Sequence, residues 1–516
     1  MSFVSFAFIG FVIVSLLLYY LLPQKVRWVV LLVASYTFYI IGGAKTVIYL
    51  LLTTLTTWVA GLLLSSANKK AKDNPELEKK QGRIKIAICL IALLFNFGIL
   101  YTLKYLDLTL SVAGELFNFN SVRFEFVLPL GVSFFIFQSA GYVIDQYRGK
   151  YEAQRNLFKY ALFVSFFPQM VQGPISRYNQ LEPQLLAGNK FDSENFRMGI
   201  QQMLWGYFKK LVIADRAAII VKTMYADTDS YGGALIAVAV LAYCVELYCD
   251  FSGGIDITIG VAKLFGIDMT ENFKRPVFAL SLAEYWRRWH ITLGSWMRDY
   301  VFYPLTLSKP FIKLGKKTRK AIKGRAGKVI STSLATFIVY LIIGIWHGSN
   351  PKYIVYGLWN GGIITLSLLM VGAFTAWKNK LHINDKAKYW KAFMMLRTMF
   401  IVFIGRYITR SESISQAIRL LRRTFYPPLI RLNQLWNGGL LKLGIGVKDY
   451  IIILVSLAIL LGVEIYQEKK GSVRVALSKK SGFVQWIFLF ALIMLVLVFG
   501  IFRDSYIASG FIYQQY

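Results

Sequence analysis

The chain has 516 residues, of which 56% are hydrophobic and only 17% are charged, well below the roughly 25% charged residues of soluble domains. It carries 59 Lys and Arg against 27 Asp and Glu, a formal net charge of +32. This composition excludes a soluble globule and predicts an all-α, polytopic protein whose apolar helices lie in lipid.

Thirteen apolar segments recur along the chain, and each reaches or nearly reaches the roughly 20 residues that cross about 30 Å of hydrocarbon as a helix. We expect about 11 or more membrane helices, with the remaining segments re-entrant or interfacial. The first segment lacks the features of a cleaved signal peptide and is expected to be retained. The segments are 3–22, 26–41, 46–64, 84–105, 127–144, 157–171, 198–221, 233–248, 329–346, 353–376, 392–408, 450–465 and 483–502.

Most of the lysines and arginines are concentrated in loops between these segments, in clusters at 68–85, 309–328, 378–391 and 469–480. The positive-inside rule predicts that all four clusters lie on the cytoplasmic side. Because this rule explains the net charge, no nucleic-acid partner is expected, and the bilayer itself is the predicted surroundings.

Intramembrane polar residues are concentrated between about 128 and 362, and no linker or internal repeat divides the chain. We therefore predict a single membrane domain, 1–516, whose catalytic region is about 128–362. Within it, Glu246, Asp250 and Asp256 lie in a mostly apolar stretch together with Ser252 and two glycines. This pattern indicates a polar cavity or an internal ion pair.

Only three histidines occur, and His382 lies in a basic loop. His290 follows Trp286 and Trp289, while His347 follows Trp346 at the end of an apolar run. Desolvation keeps a buried imidazole neutral and able to accept a proton from a hydroxyl, as an acyl-transfer base must. The alternative is a histidine that only makes a structural hydrogen bond.

No metal is expected, because His290 and His347 are far apart in sequence, no third histidine ligand accompanies them, and the three cysteines lack zinc-binding spacing. The stretch 272–300 is too cationic for a lipid-embedded span and is typical of an interfacial segment. Its Arg287 and Arg288 could bind the phosphates of a cytoplasmic donor or simply anchor the protein at lipid headgroups.

Seven short motifs, taken together, resemble those of the membrane-bound O-acyltransferase (MBOAT) superfamily. The resemblance is specifically to its bacterial branch of AlgI-like alginate O-acetyltransferases. The resemblance covers most of the chain and is specific only when the motifs are combined. They lie at 128–134, 142–149, 166–168, 173–175, 250–253, 288–290 and 346–348.

The resemblance implies an O-acyltransferase of the bacterial cytoplasmic (inner) membrane, with helices around a central tunnel. It would move an acyl group, usually acetyl, from acetyl-CoA or an acyl carrier protein to a cell-envelope or exported polysaccharide. An extracytoplasmic SGNH-type partner, AlgJ-, AlgX- or PatB-like, would complete the transfer. His347 matches the family's catalytic histidine and His290 its second one. The other residues expected along the donor tunnel are Trp286, Arg287, Arg288, Trp289, Trp346, Asp250, Ser252 and Asn360.

Three further features bear on the mechanism. The tail 510–516 resembles an aromatic tail of this branch, so Tyr513 is either a transient acyl acceptor or an interfacial anchor. Asn360 stands where relatives usually carry a further histidine, so a three-histidine mechanism is not expected here. The basic loop 304–328 would bind a carrier protein or anionic lipid.

Two other functions stay open from the sequence. The first is D-alanyl transfer to teichoic acid, whose enzymes share the Trp-His-Gly and proline motifs. The second belongs to another class: a polysaccharide or lipid transporter in which the buried Asp and His residues line a path without acyl chemistry.

Overall fold

The computed structural model describes residues 2–502 except 121, 123, 125 and 323. Within these residues the regular structure is helical, apart from one isolated bridge between Phe273 and Trp289. The prediction of an all-α protein is therefore confirmed.

The α-helices are numbered in chain order. The first four are α1 (Phe6–Leu21), α2 (Arg27–Gly43), α3 (Val47–Asp73) and α4 (Glu78–Phe117). The central ones are α5 (Val132–Tyr147), α6 (Leu157–Ser165), α7 (Phe167–Met170), α8 (Tyr178–Leu186), α9 (Ser193–Tyr207), α10 (Asp215–Ala226), α11 (Gly233–Leu264), α12 (Leu282–Arg288), α13 (Ile291–Met297), α14 (Tyr303–Leu307), α15 (Lys309–Ala321), α16 (Arg325–His347) and α17 (Lys352–Leu369). The last are α18 (Val371–Lys380), α19 (Lys388–Arg410), α20 (Ile414–Phe425), α21 (Pro427–Ile430), α22 (Val447–Lys470), α23 (Val473–Ser478) and α24 (Gly482–Phe499).

In the described chain, seven helical segments are long and apolar enough to cross a membrane, or eight if α17 and α18, bent by 61°, form one crossing. This is fewer than the eleven or more expected. The apolar segment 157–171 is broken at Phe166 into α6 and α7, each too short to cross. The segment 127–144 starts without helix, and α5 begins only at Val132. Apolar composition alone does not reveal such breaks, which are tolerated where protein surrounds the backbone.

Helix α11 is the centre of the fold. Of the 18 most apolar consecutive residues of α11, 56% are buried inside the protein. The same fraction for α24 is 11%, so α24 faces lipid. Helices α9, α10, α19 and α20 pack around α11. A Cβ added at Gly206 on α9 would lie only 2.5 Å from the Gly253 carbonyl oxygen of α11. Glycine thus permits the close approach of these two backbones.

A second close contact joins α16 to α17. A Cβ at Gly344 would lie 2.5 Å from the Tyr353 carbonyl oxygen and 2.8 Å from the Gly357 Cα. The contact lies one turn before His347, the last residue of α16. It therefore holds this histidine beside the first turn of α17.

Contacts at one end of α5 link the basic segment 68–85 to the segment that leads into basic α15. Asn68 donates a hydrogen bond to the Gln146 carbonyl oxygen at 2.7 Å, and Arg148 donates one to that of Asp299 at 3.0 Å. The end of α5 thus lies between the α3–α4 turn and the segment that leads into α15. The positive-inside rule predicts that this end of the helices is cytoplasmic.

Candidate active site

The two predicted histidines lie around one tryptophan. The ring centroid of Trp346 is 4.9 Å from that of His347 and 6.2 Å from that of His290. His347 ends α16, whereas His290 precedes α13 with a backbone φ of 47°. The fold thus joins two imidazoles that are distant in the sequence.

His290 is held in a buried pocket and is only 2% exposed. Its Nδ1 lies 3.3 Å from Oδ1 of Asn272, which also accepts hydrogen bonds from the backbone and hydroxyl of Thr292. Because an amide oxygen only accepts, it favours the tautomer protonated at Nδ1. Burial, with a smaller effect of His347, lowers the pKa of His290 to about 3, so the ring is neutral at physiological pH.

His347 lines a cavity of about 150 Å³ that also contacts Lys104 and Ser133. The Lys104 Nζ lies 3.4 Å from the Ser133 hydroxyl and 6.0 Å from the Trp346 ring centroid. The Tyr105 hydroxyl donates a hydrogen bond to the Ile345 carbonyl oxygen at 2.7 Å, which fixes the end of α16. The cavity is therefore lined by a potential base, His347, by the amine of Lys104 and by the hydroxyl of Ser133.

The segment that leads into α5 forms another wall of this cavity. Residues 127–134 contact it, and Gly131 has φ +66°. A Cβ at Gly131 would lie 1.7 Å from the Met170 carbonyl oxygen, so only glycine fits. The non-helical backbone before α5 is thus packed against protein.

The sequence analysis missed Arg406, which lies beside the site on α19 and is 4% exposed. Its Nη1 donates to the Tyr356 hydroxyl at 3.2 Å and its Nη2 to the Tyr285 hydroxyl at 2.9 Å. The guanidinium carbon also lies 5.4 Å from the Trp289 ring centroid. Charged residues within apolar runs were the signal: Arg406 lies with Arg397 in the run 392–408, as Lys104 lies with Lys85 in 84–105.

The expected donor residues Trp286 and Asn360 bind each other. Trp286 donates from its indole to Oδ1 of Asn360 at 3.1 Å, and the Asn360 amide donates to the Tyr356 carbonyl oxygen at 2.8 Å. Asn360 therefore joins α12 to α17 and is not a substitute base. Trp289 stacks on Tyr285 with centroids 5.6 Å apart.

The two arginines expected to bind donor phosphates differ in their surroundings. Arg287 is exposed. All three nitrogens of Arg288 are bound, to the carboxylates of Glu284 and Glu468 and to the Lys274 carbonyl oxygen. Arg288 therefore ties α12 to α22, and phosphate binding stays a prediction for both arginines.

Asp250 belongs to an ion-pair cluster. Lys210 Nζ lies 2.5 Å from Asp250 and 2.9 Å from Asp215. Lys210 lies in the π-helical turn Phe208–Ala214, which presses it against α11. The sequence indicated either a polar cavity or an internal ion pair in this stretch, and the contacts of Asp250 are those of an internal ion pair.

Ser252 fits the other possibility, a polar cavity. It accepts a hydrogen bond from Lys209 at 2.8 Å, and Lys209 also pairs with Asp256 at 2.6 Å. These three residues line a second cavity of about 130 Å³. Asn272, Arg275 and Arg474 line it too. Asn272 also contacts His290. The second cavity is therefore next to His290, whereas the first cavity is lined by His347 itself.

Two further predictions are not tested by these contacts. Tyr513 lies outside the described residues. Among the residues that the structure describes, no group of three or more His, Cys, Asp or Glu could hold a metal ion. The expectation of a reaction without metal stays a prediction.

The fold and the histidine pair define a multi-pass membrane protein with an enzyme-like site at the end of a membrane helix. Residues 153–405 match the MBOAT, membrane-bound O-acyltransferase, family. The chain is 32% identical over 412 residues to the probable alginate O-acetylase AlgI of Pseudomonas syringae pv. tomato, covering 79% of this chain and 72% of that protein. The chain therefore belongs to the membrane-bound O-acyltransferase family.

Relatives named for other activities are also similar. The peptidoglycan O-acetyltransferase of Helicobacter pylori is 28% identical over 359 residues, covering 64% of this chain and 63% of that protein. The teichoic acid D-alanyltransferase of Bacillus subtilis is 27% identical over 285 residues, covering 54% and 68%. The protein is thus an O-acyltransferase of the bacterial inner membrane, as the sequence motifs predicted.

Proposed function

We propose that the protein transfers an acetyl group from acetyl-CoA at the cytoplasmic face to a hydroxyl of a cell-envelope or exported polysaccharide at the opposite face. His347 is the general base. The observation that carries the proposal is the position of His347: it ends a membrane helix and lines a cavity.

The length of α16 supports a reaction across the membrane. The helix begins beside basic α15 and has 23 residues, a rise of about 34 Å, close to the roughly 30 Å hydrocarbon thickness. His347 is therefore assigned to the membrane interior, away from the first residues of α16. The cavity that it shares with Lys104 is the proposed site of the accepting hydroxyl.

The cavity at Asn272 is the proposed donor site. Arg275 and Arg474 line it, and α22 ends beside it in the basic segment 469–480. Arg474 pairs with no described carboxylate, and it suits the phosphates of a coenzyme together with Arg275 and Lys209, which also pair with Glu468 and Asp256. Asn272 connects this cavity to His290, which is proposed to orient the thioester towards His347.

Tyr513 is proposed to carry the acetyl group transiently, between the thioester donor and the exported protein that passes it to the polymer. Helix α24 begins after the basic segment 469–480 and ends at Phe499, so one crossing brings the chain to the side of the membrane away from the basic end. A base such as His347 is needed, because a phenol becomes a good nucleophile only after losing its proton. An exported SGNH-type protein would then take the acetyl group to the polymer.

The test is the ester content of envelope polysaccharides in a deletion strain, measured by mass spectrometry of base-released acids. The proposal expects loss of acetate, restored by the wild-type gene but not by His347→Ala. Loss of alanine instead would replace the proposal with D-alanyl transfer, the activity named for the Bacillus subtilis relative. Unchanged esters with impaired polymer export would replace it with transport.

A further inference from the structure

Arg406 is a charged side chain with no carboxylate partner among the residues that the structure describes. It is 4% exposed and lies on a membrane-crossing helix, and its hydrogen bonds go to the hydroxyls of Tyr356 and Tyr285. A guanidinium at membrane depth is costly and stays charged. An arginine that only filled space could be replaced by an apolar residue, so this position indicates a function.

Both hydroxyls have their proton available for another partner. Each accepts a hydrogen bond from Arg406, and neither donates one to a described residue. A guanidinium only donates, so it fixes each tyrosine oxygen as the acceptor on that side. The phenol proton must then point away from Arg406.

Only one of the two tyrosines lies against His347. The Tyr356 ring centroid is 6.1 Å from that of His347, with the rings at 72° to each other. Gly405, next to Arg406, makes room for this ring, because a Cβ there would lie 3.3 Å from Tyr356 Cε2. Tyr285 instead stacks on Trp289. Tyr356 and Tyr285 thus bind the same guanidinium, but it is the Tyr356 ring that contacts His347.

We propose that Arg406 orients the Tyr356 hydroxyl as the hydrogen-bond donor that stabilises the oxyanion formed during acyl transfer at His347. Tyr356 is the catalytic residue and Arg406 the positioning residue. The inference rests on the proposed function and adds to it the residue that binds the thioester oxygen.

Acyl transfer proceeds in two steps, addition to the thioester and loss of the thiol. The accepting hydroxyl oxygen attacks the thioester carbon while His347 takes the hydroxyl proton, and the carbonyl electron pair moves to oxygen. Tyr356 donates its hydrogen bond to this negative oxygen without transferring its proton. The carbonyl then re-forms, the carbon–sulfur bond breaks, and the imidazolium returns the proton to the departing thiolate. The products are an ester and a free thiol.

The test measures release of free thiol from acetyl-CoA by inside-out membrane vesicles of the deletion strain that carry the full chain, so that the cell's own acceptor and exported partner are present. Removing one oxyanion donor typically lowers kcat by about 10²- to 10³-fold, so Tyr356→Phe is expected to lower kcat by about 10²-fold. The KM for acetyl-CoA should stay unchanged, since the lost contact forms only with the oxyanion. Arg406→Gln should have a similar effect.

The double variant Tyr356→Phe/Arg406→Gln separates positioning from packing. Because Arg406 acts through Tyr356, the double variant should be no slower than Tyr356→Phe alone, which is the non-additivity expected of coupled residues. Tyr285→Phe is the matched control: it removes the other hydroxyl from the same guanidinium and should cost clearly less. Melting temperatures in detergent check that all variants are folded.

The inference is overturned if Tyr356→Phe keeps the wild-type kcat, or if its KM and melting temperature change together with kcat. In either case an active wild type and an inactive His347→Ala would leave the proposed function standing. A wild-type protein that released no thiol would instead contradict the proposed function itself.

Discussion

His347→Ala is expected to abolish acyl transfer while the protein remains inserted and folded. A positioned general base contributes about 10²- to 10⁴-fold to the rate, and alanine leaves no group to accept the hydroxyl proton. His347 faces the cavity beside Lys104 and Ser133 and packs on Trp346. Initial rates of acetyl ester formation in membranes, normalised to the amount of protein, measure the effect.

The matched control is His382→Asn. His382 is exposed in the basic loop after α18 and has φ 49°, a conformation that asparagine tolerates. Its replacement should leave the rate unchanged. Wild-type rates in His347→Ala would exclude general-base chemistry at this residue.

Lys210→Met is expected to be the most destabilising substitution in the centre of the fold. It removes the cation between Asp215 and Asp250, whose carboxylates lie 2.9 and 2.5 Å from Lys210 Nζ. Removing one partner of a buried ion pair costs about 3–5 kcal/mol. A large fall in melting temperature and loss of monodisperse protein on size exclusion should follow.

Lys222→Met is the control for this substitution. Lys222 lies on neighbouring α10 but is exposed, so its loss should leave the melting temperature unchanged. If Lys210→Met instead melted like the wild type and yet lost all activity, the cluster would take part in the reaction and not in the stability of the fold.

The class of fold could be predicted from apolar segments, because a bilayer permits few solutions for a chain of this composition. The number of crossings could not. The break at Phe166 and the late start of α5 depend on packing against other helices, such as the contact of Gly131 with Met170. Apolar runs that are buried by protein look the same in sequence as runs that face lipid.

The candidate site was partly predictable for a similar reason. His290 and His347 stand out because histidines are few and tryptophans flank them. Asp250 also stood out, yet it belongs to an ion-pair cluster with Lys210, a residue in a different helical segment. Arg406 and Tyr356 come from α19 and α17, and no local pattern connects them. Partners across helices become visible only in the fold.

The central claim is that the acyl group enters from the cytoplasm and leaves as an ester on the other side. Inside-out and right-side-out membrane vesicles supplied externally with radiolabelled acetyl-CoA, which does not cross the bilayer, test it directly. Inside-out vesicles are predicted to accumulate labelled acetyl ester in their lumen, and those carrying His347→Ala are predicted not to. Labelling by right-side-out vesicles, or ester formed only outside inside-out ones, would contradict the account.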